Sequence, residues 1–117
     1  NAMYLPKIIK YNSKNSEAAE RYAYIAKFIG LEGNTVDELV DALINELKSM
    51  NKALEIPSCI KDYEGGIIDE AEFNSKLKDV AALAISDACT GSNPRQPSQE
   101  EMEKLLTACF YDKEIDF

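Results

Sequence analysis

The sequence predicts an all-α fold, a small bundle of about five helices joined by short loops. Apolar residues recur at three- and four-residue spacing in successive segments. Helix-start signatures precede several of them: Thr35 with Glu38, Asp69 with Glu72, and Ser98 with Glu101. No segment alternates polar and apolar residues as a half-buried strand would, and no hairpin dipeptide joins two such runs.

Taken in order, Leu5, Ile8, Ile9 and Tyr11 form a short apolar segment, helical after Pro6, whose missing N–H is harmless in a first turn. Residues 12–15 form a polar break. Ser16 is the expected N-cap of a second helix with Ala19, Tyr22, Ala23, Ala26 and Ile29 on one face; Gly30 ends it and Gly33 marks the next turn. Thr35 and Glu38 open a third, longer helix. Its stripe runs through Val36, Leu39, Val40, Leu43, Ile44, Leu47 and Met50 and fades over residues 53–56, before Pro57. Residues 58–68 connect, with Gly65-Gly66 at the bend. Asp69 caps a fourth helix whose expected buried face is Phe73, Leu77, Val80, Ala81, Ala84 and Ile85. A loop over residues 89–97 follows. The last helix, capped by Ser98, carries Met102, Leu105, Leu106 and Cys109 on its apolar side. Phe110 and Tyr111 close the packed part, and residues 112–117 read as a short acidic tail. Asn1-Ala2-Met3 has the look of a scar left by a cleaved expression tag.

Charge narrows the function. With 21 acidic against 13 basic residues, the net charge is −8, which repels phosphate backbones and anionic membranes. No nucleic-acid or membrane partner is expected. No apolar run is long enough to span a bilayer, and no signal-peptide pattern opens the sequence. The three cysteines, Cys59, Cys89 and Cys109, are odd in number and far apart. They read as reduced thiols of a cytoplasmic protein.

Chemistry is constrained further by the absence of histidine among 117 residues. The cysteines lack metal-ligand spacing, and carboxylate pairs such as Asp37 with Asp41 or Glu100 with Glu103 fall on polar helix faces. No metal ligand and no catalytic residue is therefore assigned. Cysteine nucleophilic catalysis would need a base beside the thiol, and Cys109 on its apolar stripe reads as a small core residue. Cys59 receives no role. Gly65-Gly66 lacks the surroundings of a phosphate loop and reads as a turn. The segment Cys89-Thr90-Gly91-Ser92-Asn93-Pro94-Arg95 stands out. Gly91 can take a left-handed backbone, Pro94 fixes its own φ, and Arg95 offers donors to buried carbonyls or a carboxylate.

Several stretches resemble the iron-dependent (group III) alcohol dehydrogenases. Leu5-Pro6-Lys7-Ile8-Ile9-Lys10-Tyr11-Asn12 is similar to that family's Leu-Pro-x-Val-Ile-x-Tyr-Asn. Gly30-Leu31-x-Gly33, the long helix, Ile56-Pro57, the stretch from Asp87 through Arg95 and the final helix follow in the family's order. The resemblance runs from about residue 5 to about residue 111, so residues 4–111 are assigned to a C-terminal helical portion of such an enzyme. It implies a parent with an N-terminal NAD(P)-binding α/β domain and a divalent metal, usually iron, held by one Asp and three His. The last of those ligands precedes the Leu-Pro stretch, so none is transferred here, and no cofactor-binding residue is assigned. It also implies that Cys89 lines the substrate pocket, with its neighbours supporting the loop.

The expected partner is the nucleotide-binding domain of the same parent chain. Self-association is expected through Tyr4, Leu5, Ile8 and Ile9. The parent would move hydride between NAD(P)H and an aldehyde–alcohol pair, and this chain alone is expected to be inactive. The alternative is a stand-alone acidic helical interaction module without catalysis. A DNA-binding helical domain conflicts with the charge.

Overall fold

The fold is arranged on two sides of its shortest helix, α1 (Leu5–Asn12), which carries Pro6 in its first turn. Ile9 projects to one side and joins a first core; Tyr11 projects nearly opposite and joins a second. The computed structural model describes residues 1–63 and 69–117, and within them it contains five α-helices and no strand, as the sequence predicts. Gly65-Gly66 lies outside the described residues.

The first core lies between α1, α2 (Ser16–Phe28) and α3 (Val36–Ala53). Ala19, Ala23 and Ala26 of α2 are small enough to let α3 approach with Leu39, Val40, Leu43 and Ile44, none more than 6% exposed. Each such aliphatic side chain contributes about 1.5–3 kcal/mol by leaving water. The stripe on α3 overhangs this core, since Val36 and Met50 at its ends are 39% and 50% exposed. Ile9, expected among the orphaned apolar residues of the first helix, is buried here at 5%.

Two caps differ from expectation. The N-cap of α2 is Asn15, whose side-chain oxygen accepts from the Ala18 N–H at 3.0 Å, so Ser16 is the first helical residue. Asparagine and serine cap about equally well, and a tertiary bond decides between them: the Asn15 amide also donates to the Pro94 carbonyl at 3.2 Å. At α3, Thr35 accepts from the Glu38 N–H at 3.1 Å, but the Glu38 carboxylate returns to the Asn34 N–H at 2.6 Å rather than to Thr35.

Helices α2 and α3 stop by the same device. Gly30 has φ +86°, the Leu31 N–H reaches the Ala26 carbonyl, and the Gly30 N–H reaches that of Lys27. At the end of α3 the bonds repeat with Glu55 in the left-handed position at φ +57°. A glutamate is strained there and a glycine is not. Gly30→Ala should therefore lower stability by about 1 kcal/mol, a backbone cost alone because nothing lies within 4 Å of the added methyl. Glu55→Gly should be neutral or stabilising by up to about 1 kcal/mol, despite the entropy that glycine adds to the unfolded chain. Urea denaturation of both variants checks the pair; equal losses would mean that backbone strain is not what separates them.

The second core joins Tyr11 to α5 (Gln99–Tyr111) and to the end of the chain through Leu105, Ala108 and Ile115. Residues 112–117 are acidic but not loose. Ile115 is 4% exposed and the Phe117 ring lies 6.1 Å from that of Tyr11, so the packed part runs past Tyr111. Helix α4 (Glu70–Ser86) is capped by Asp69, which accepts from the Glu72 N–H at 2.7 Å. It packs on α5 in part through Phe73, stacked on Phe110 with ring centroids 4.0 Å apart. Its expected face is only partly covered: Ala81 is fully buried, while Val80 is 44% exposed. A short 3-10 turn, Ile60–Asp62, follows Cys59, which is buried and donates its thiol to Asp62 Oδ2 at 3.3 Å.

Candidate functional site

The segment after α4 is stiffened residue by residue. Asp87 accepts from the Cys89 N–H at 2.8 Å, and the Thr90 hydroxyl donates back to the Ala84 carbonyl at 2.6 Å. A 3-10 turn, Thr90–Ser92, follows, and the Gln96 amide reaches the Thr90, Gly91 and Asn93 carbonyls at 2.9–3.1 Å. Gly91 sits in this turn with an ordinary φ, not a left-handed one, because the 3-10 geometry already bends the chain.

Asn93 and Arg95 then tie the loop to α1. Asn93 and Asn12 exchange amide hydrogen bonds at 2.8 and 3.0 Å. The Arg95 guanidinium donates to the Tyr11 carbonyl at 3.1 Å, to the Phe117 carbonyl at 2.9 Å and to Glu101 Oε1 at 2.5 Å. Its plane lies over the Tyr11 ring, 3.9 Å from the centroid, and Tyr11 donates its hydroxyl to the other Glu101 oxygen at 3.2 Å. Glu101 also closes the capping box of α5 with Ser98. The Ser98 N–H, helped by Arg95 and Tyr11 and opposed by burial, holds the Glu101 carboxyl below its usual range. Burial, opposed by the Arg95 charge and helped by Glu101, pushes the Tyr11 phenol up, so it stays a donor. The carbonyls and carboxylate expected for Arg95 are thus present.

Between this loop, α1 and α5 lies an apolar groove of about 650 Å³. Leu5 and Ile8 of α1 form one wall, Met102 and Leu106 of α5 the other, and Cys89 stands exposed at the lip. Cys109 lines the same groove from a buried position, which the sequence did not foretell: helical periodicity puts it on the apolar face without saying that the face borders a cavity. Burial pushes its thiol up to about 11, with Lys7 pulling weakly the other way. At pH 8 only about one Cys109 in a thousand is then thiolate. Cys89 should accordingly react with a small maleimide at least tenfold faster than Cys109. Peptide mapping after timed native labelling reads the order, and equal rates would mean that the groove opens fully to solvent.

The family model described as the Fe-containing alcohol dehydrogenase family, C-terminal, matches residues 1–110. The chain belongs to that family. Within it, the chain is 52% identical over 117 residues to the "NADPH-dependent butanol dehydrogenase" of Clostridium saccharobutylicum, covering all of this chain and 29% of that protein. It is 38% identical over 123 residues to the "Aldehyde-alcohol dehydrogenase" of Clostridium acetobutylicum, with 94% of this chain and 14% of that protein covered. The "Alcohol dehydrogenase" of Thermococcus barophilus is 33% identical over 112 residues, with 96% and 27% covered. The chain thus spans less than a third of each of these relatives. The donor set of this iron-named family's member does not fit a metal centre: the sequence holds no histidine, and among the described residues no three Cys, Asp or Glu side chains gather closely enough to hold an ion. No helix of the described residues is long and apolar enough to cross a membrane.

Proposed function

We propose that this chain is the C-terminal helical part of an oxidoreductase that interconverts an alcohol and an aldehyde with NAD(P)H, and that its own contribution is one wall of the substrate cleft. The observation that carries this reading is Cys89 at the lip of an apolar groove, in a chain of this family. The metal polarising the reacting oxygen and the nicotinamide would be held by residues outside this chain. These residues bind and orient: α1 and α5 cover the carbon chain of the substrate, and the loop fixed by Asn93 and Arg95 keeps Cys89 at the entrance. The likeness to a relative named NADPH-dependent favours NADPH as the hydride donor. The nucleotide-binding domain is the partner that completes the cleft.

The test replaces Cys89 with tryptophan in the full-length protein that contains this chain. Preference among alcohols of different size should change several-fold while the KM for the nicotinamide stays put. An unchanged size profile would reduce the loop to a structural corner. The chain by itself should show no alcohol-dependent NAD(P) reduction above a blank. At high concentration it should self-associate through the groove rim, where Tyr4 and Leu5 are 36% and 44% exposed. A strictly monomeric mass in sedimentation equilibrium would count against that surface.

A further inference from the structure

We propose that the outer face of α2 is a contact between two copies of this chain, packed antiparallel about a two-fold axis near Tyr24. One side of α2 is taken up by the first core, through Ala19, Ala23 and Ala26. The opposite side carries Tyr24, Ile25, Phe28 and Ile29, which are 70%, 45%, 79% and 52% exposed. Tyr24 and Phe28 stack on each other in the open, with ring centroids 6.4 Å apart. Together the four leave roughly 500 Å² of apolar surface in water, at the upper end of what a monomer leaves in one patch. None of them lines the groove beside α5, so a domain that completes the cleft need not cover them.

The face is self-complementary, which singles out a second copy as its occupant. Glu17, Glu20, Arg21 and Tyr24 surround a shallow hollow on α2. Their spacing along the helix is that of the hole which takes one side chain from a facing helix. Phe28, one turn beyond the hollow, is the protruding side chain. In an antiparallel crossing at Tyr24, Phe28 falls opposite the partner's Glu20, inside the hollow, and beside the partner's Arg21, where a cation–π contact is in reach. Arg21 pairs with Glu17 within α2, whereas Glu20 and Lys27 have no ion-pair partner among the described residues. These two share one edge of the face, two turns apart. Like edges meet in an antiparallel pair, so each Glu20 reaches the partner's Lys27. A parallel pair would set Glu20 against the partner's Glu20 and leave the hollow empty. The apolar side chains and these flanking ones offer about 800 Å² per copy, the size of a standard interface.

The experiment uses the full-length protein that contains this chain. Y24C treated with a short bis-maleimide should cross-link two copies through that position, as located by peptide mapping. In sedimentation equilibrium, F28A should raise the dissociation constant of the association at least about tenfold. E20K and K27E should each raise it about fivefold, since each reverses two symmetry-related pairs. The double variant E20K/K27E should restore it to within about twofold. All four positions are exposed, so the variants should fold, and thermal melts establish that they do. If Y24C reacts with a monofunctional maleimide yet forms no cross-link, the face is open and unpaired, and the proposal fails. If Y24C resists both reagents, another part of the same chain covers the face, and the proposal fails as well. A double variant no better than the single ones would overturn the antiparallel pairing.

Discussion

Replacing Arg95 with alanine should destabilise the chain by about 2–4 kcal/mol. The side chain is 21% exposed and joins three separate parts of the fold: the end of α1 through the Tyr11 carbonyl, the end of the chain through the Phe117 carbonyl, and α5 through Glu101. Its removal leaves Glu101 without its cation and strips two carbonyls of a donor. Arg95→Lys should recover less than half of the loss, because an ammonium cannot fork across all three acceptors. Urea denaturation with a fixed slope reads both variants. The loss should also depend on pH. Glu101 binds its proton more weakly in the folded chain than its ordinary value of 4.5 implies, so the stability it confers is complete above that value and drains away as pH falls through the folded one. The gap between the parent chain and Arg95→Ala should therefore narrow from pH 7 to pH 3. A gap that stays constant would mean that Arg95 acts through the carbonyls alone.

Phe110→Ala should cost about 3–5 kcal/mol, the range for deleting a fully buried aromatic ring. Phe110 is 1% exposed, stacks on Phe73 at 4.0 Å and meets the Tyr111 ring edge-on at 4.9 Å. Helix α4 has Ala81 as its fully buried residue, and the stack joins it to α5 beside hydrogen bonds between Tyr111 and Glu70 and from Gln99 to the Lys78 carbonyl. The variant should lose protection in α4 before it loses the α2–α3 pair, which limited proteolysis followed by mass spectrometry can resolve. A double-mutant cycle with Phe73→Ala should return a coupling of about 0.5–1.5 kcal/mol. Zero coupling would show that the rings touch without holding the helix.

These two sites mark where the sequence was legible and where it was not. The caps at Thr35, Asp69 and Ser98 can be read because a cap and its N–H are three residues apart, within one local motif. That Arg95 seeks carbonyls and a carboxylate follows from its five donors. Which carbonyls does not follow, since Tyr11 is 84 residues away along the chain. Periodicity put Val80 on an apolar face of α4, but a period reports only which side chains share a face, and this one is half uncovered. Ile115 was hidden in the same way: flanked by acidic residues it reads as tail, and only its packing in one core with Tyr11 and Leu105 gives it a place. The groove is the sharpest case. Its walls come from segments nearly a hundred residues apart, and no local motif reports such a pairing.

The placement of α1 has a consequence for how the molecule comes apart. An isolated helix of eight residues is far below the roughly 12–15 needed for even marginal helicity in water, so α1 exists only while its neighbours clamp it. Those neighbours belong to different halves of the molecule, one reached through Ile9 and the other through Tyr11. Loss of either half removes a wall from α1, and the melting of α1 then strips the other half of its central side chain. Two hydrophobic clusters that could have behaved as independent foldons are thereby made one cooperative unit. Amide hydrogen exchange should find the α1 amides opening together with the slowest amides of α3 and α5, with a single free energy shared across all three.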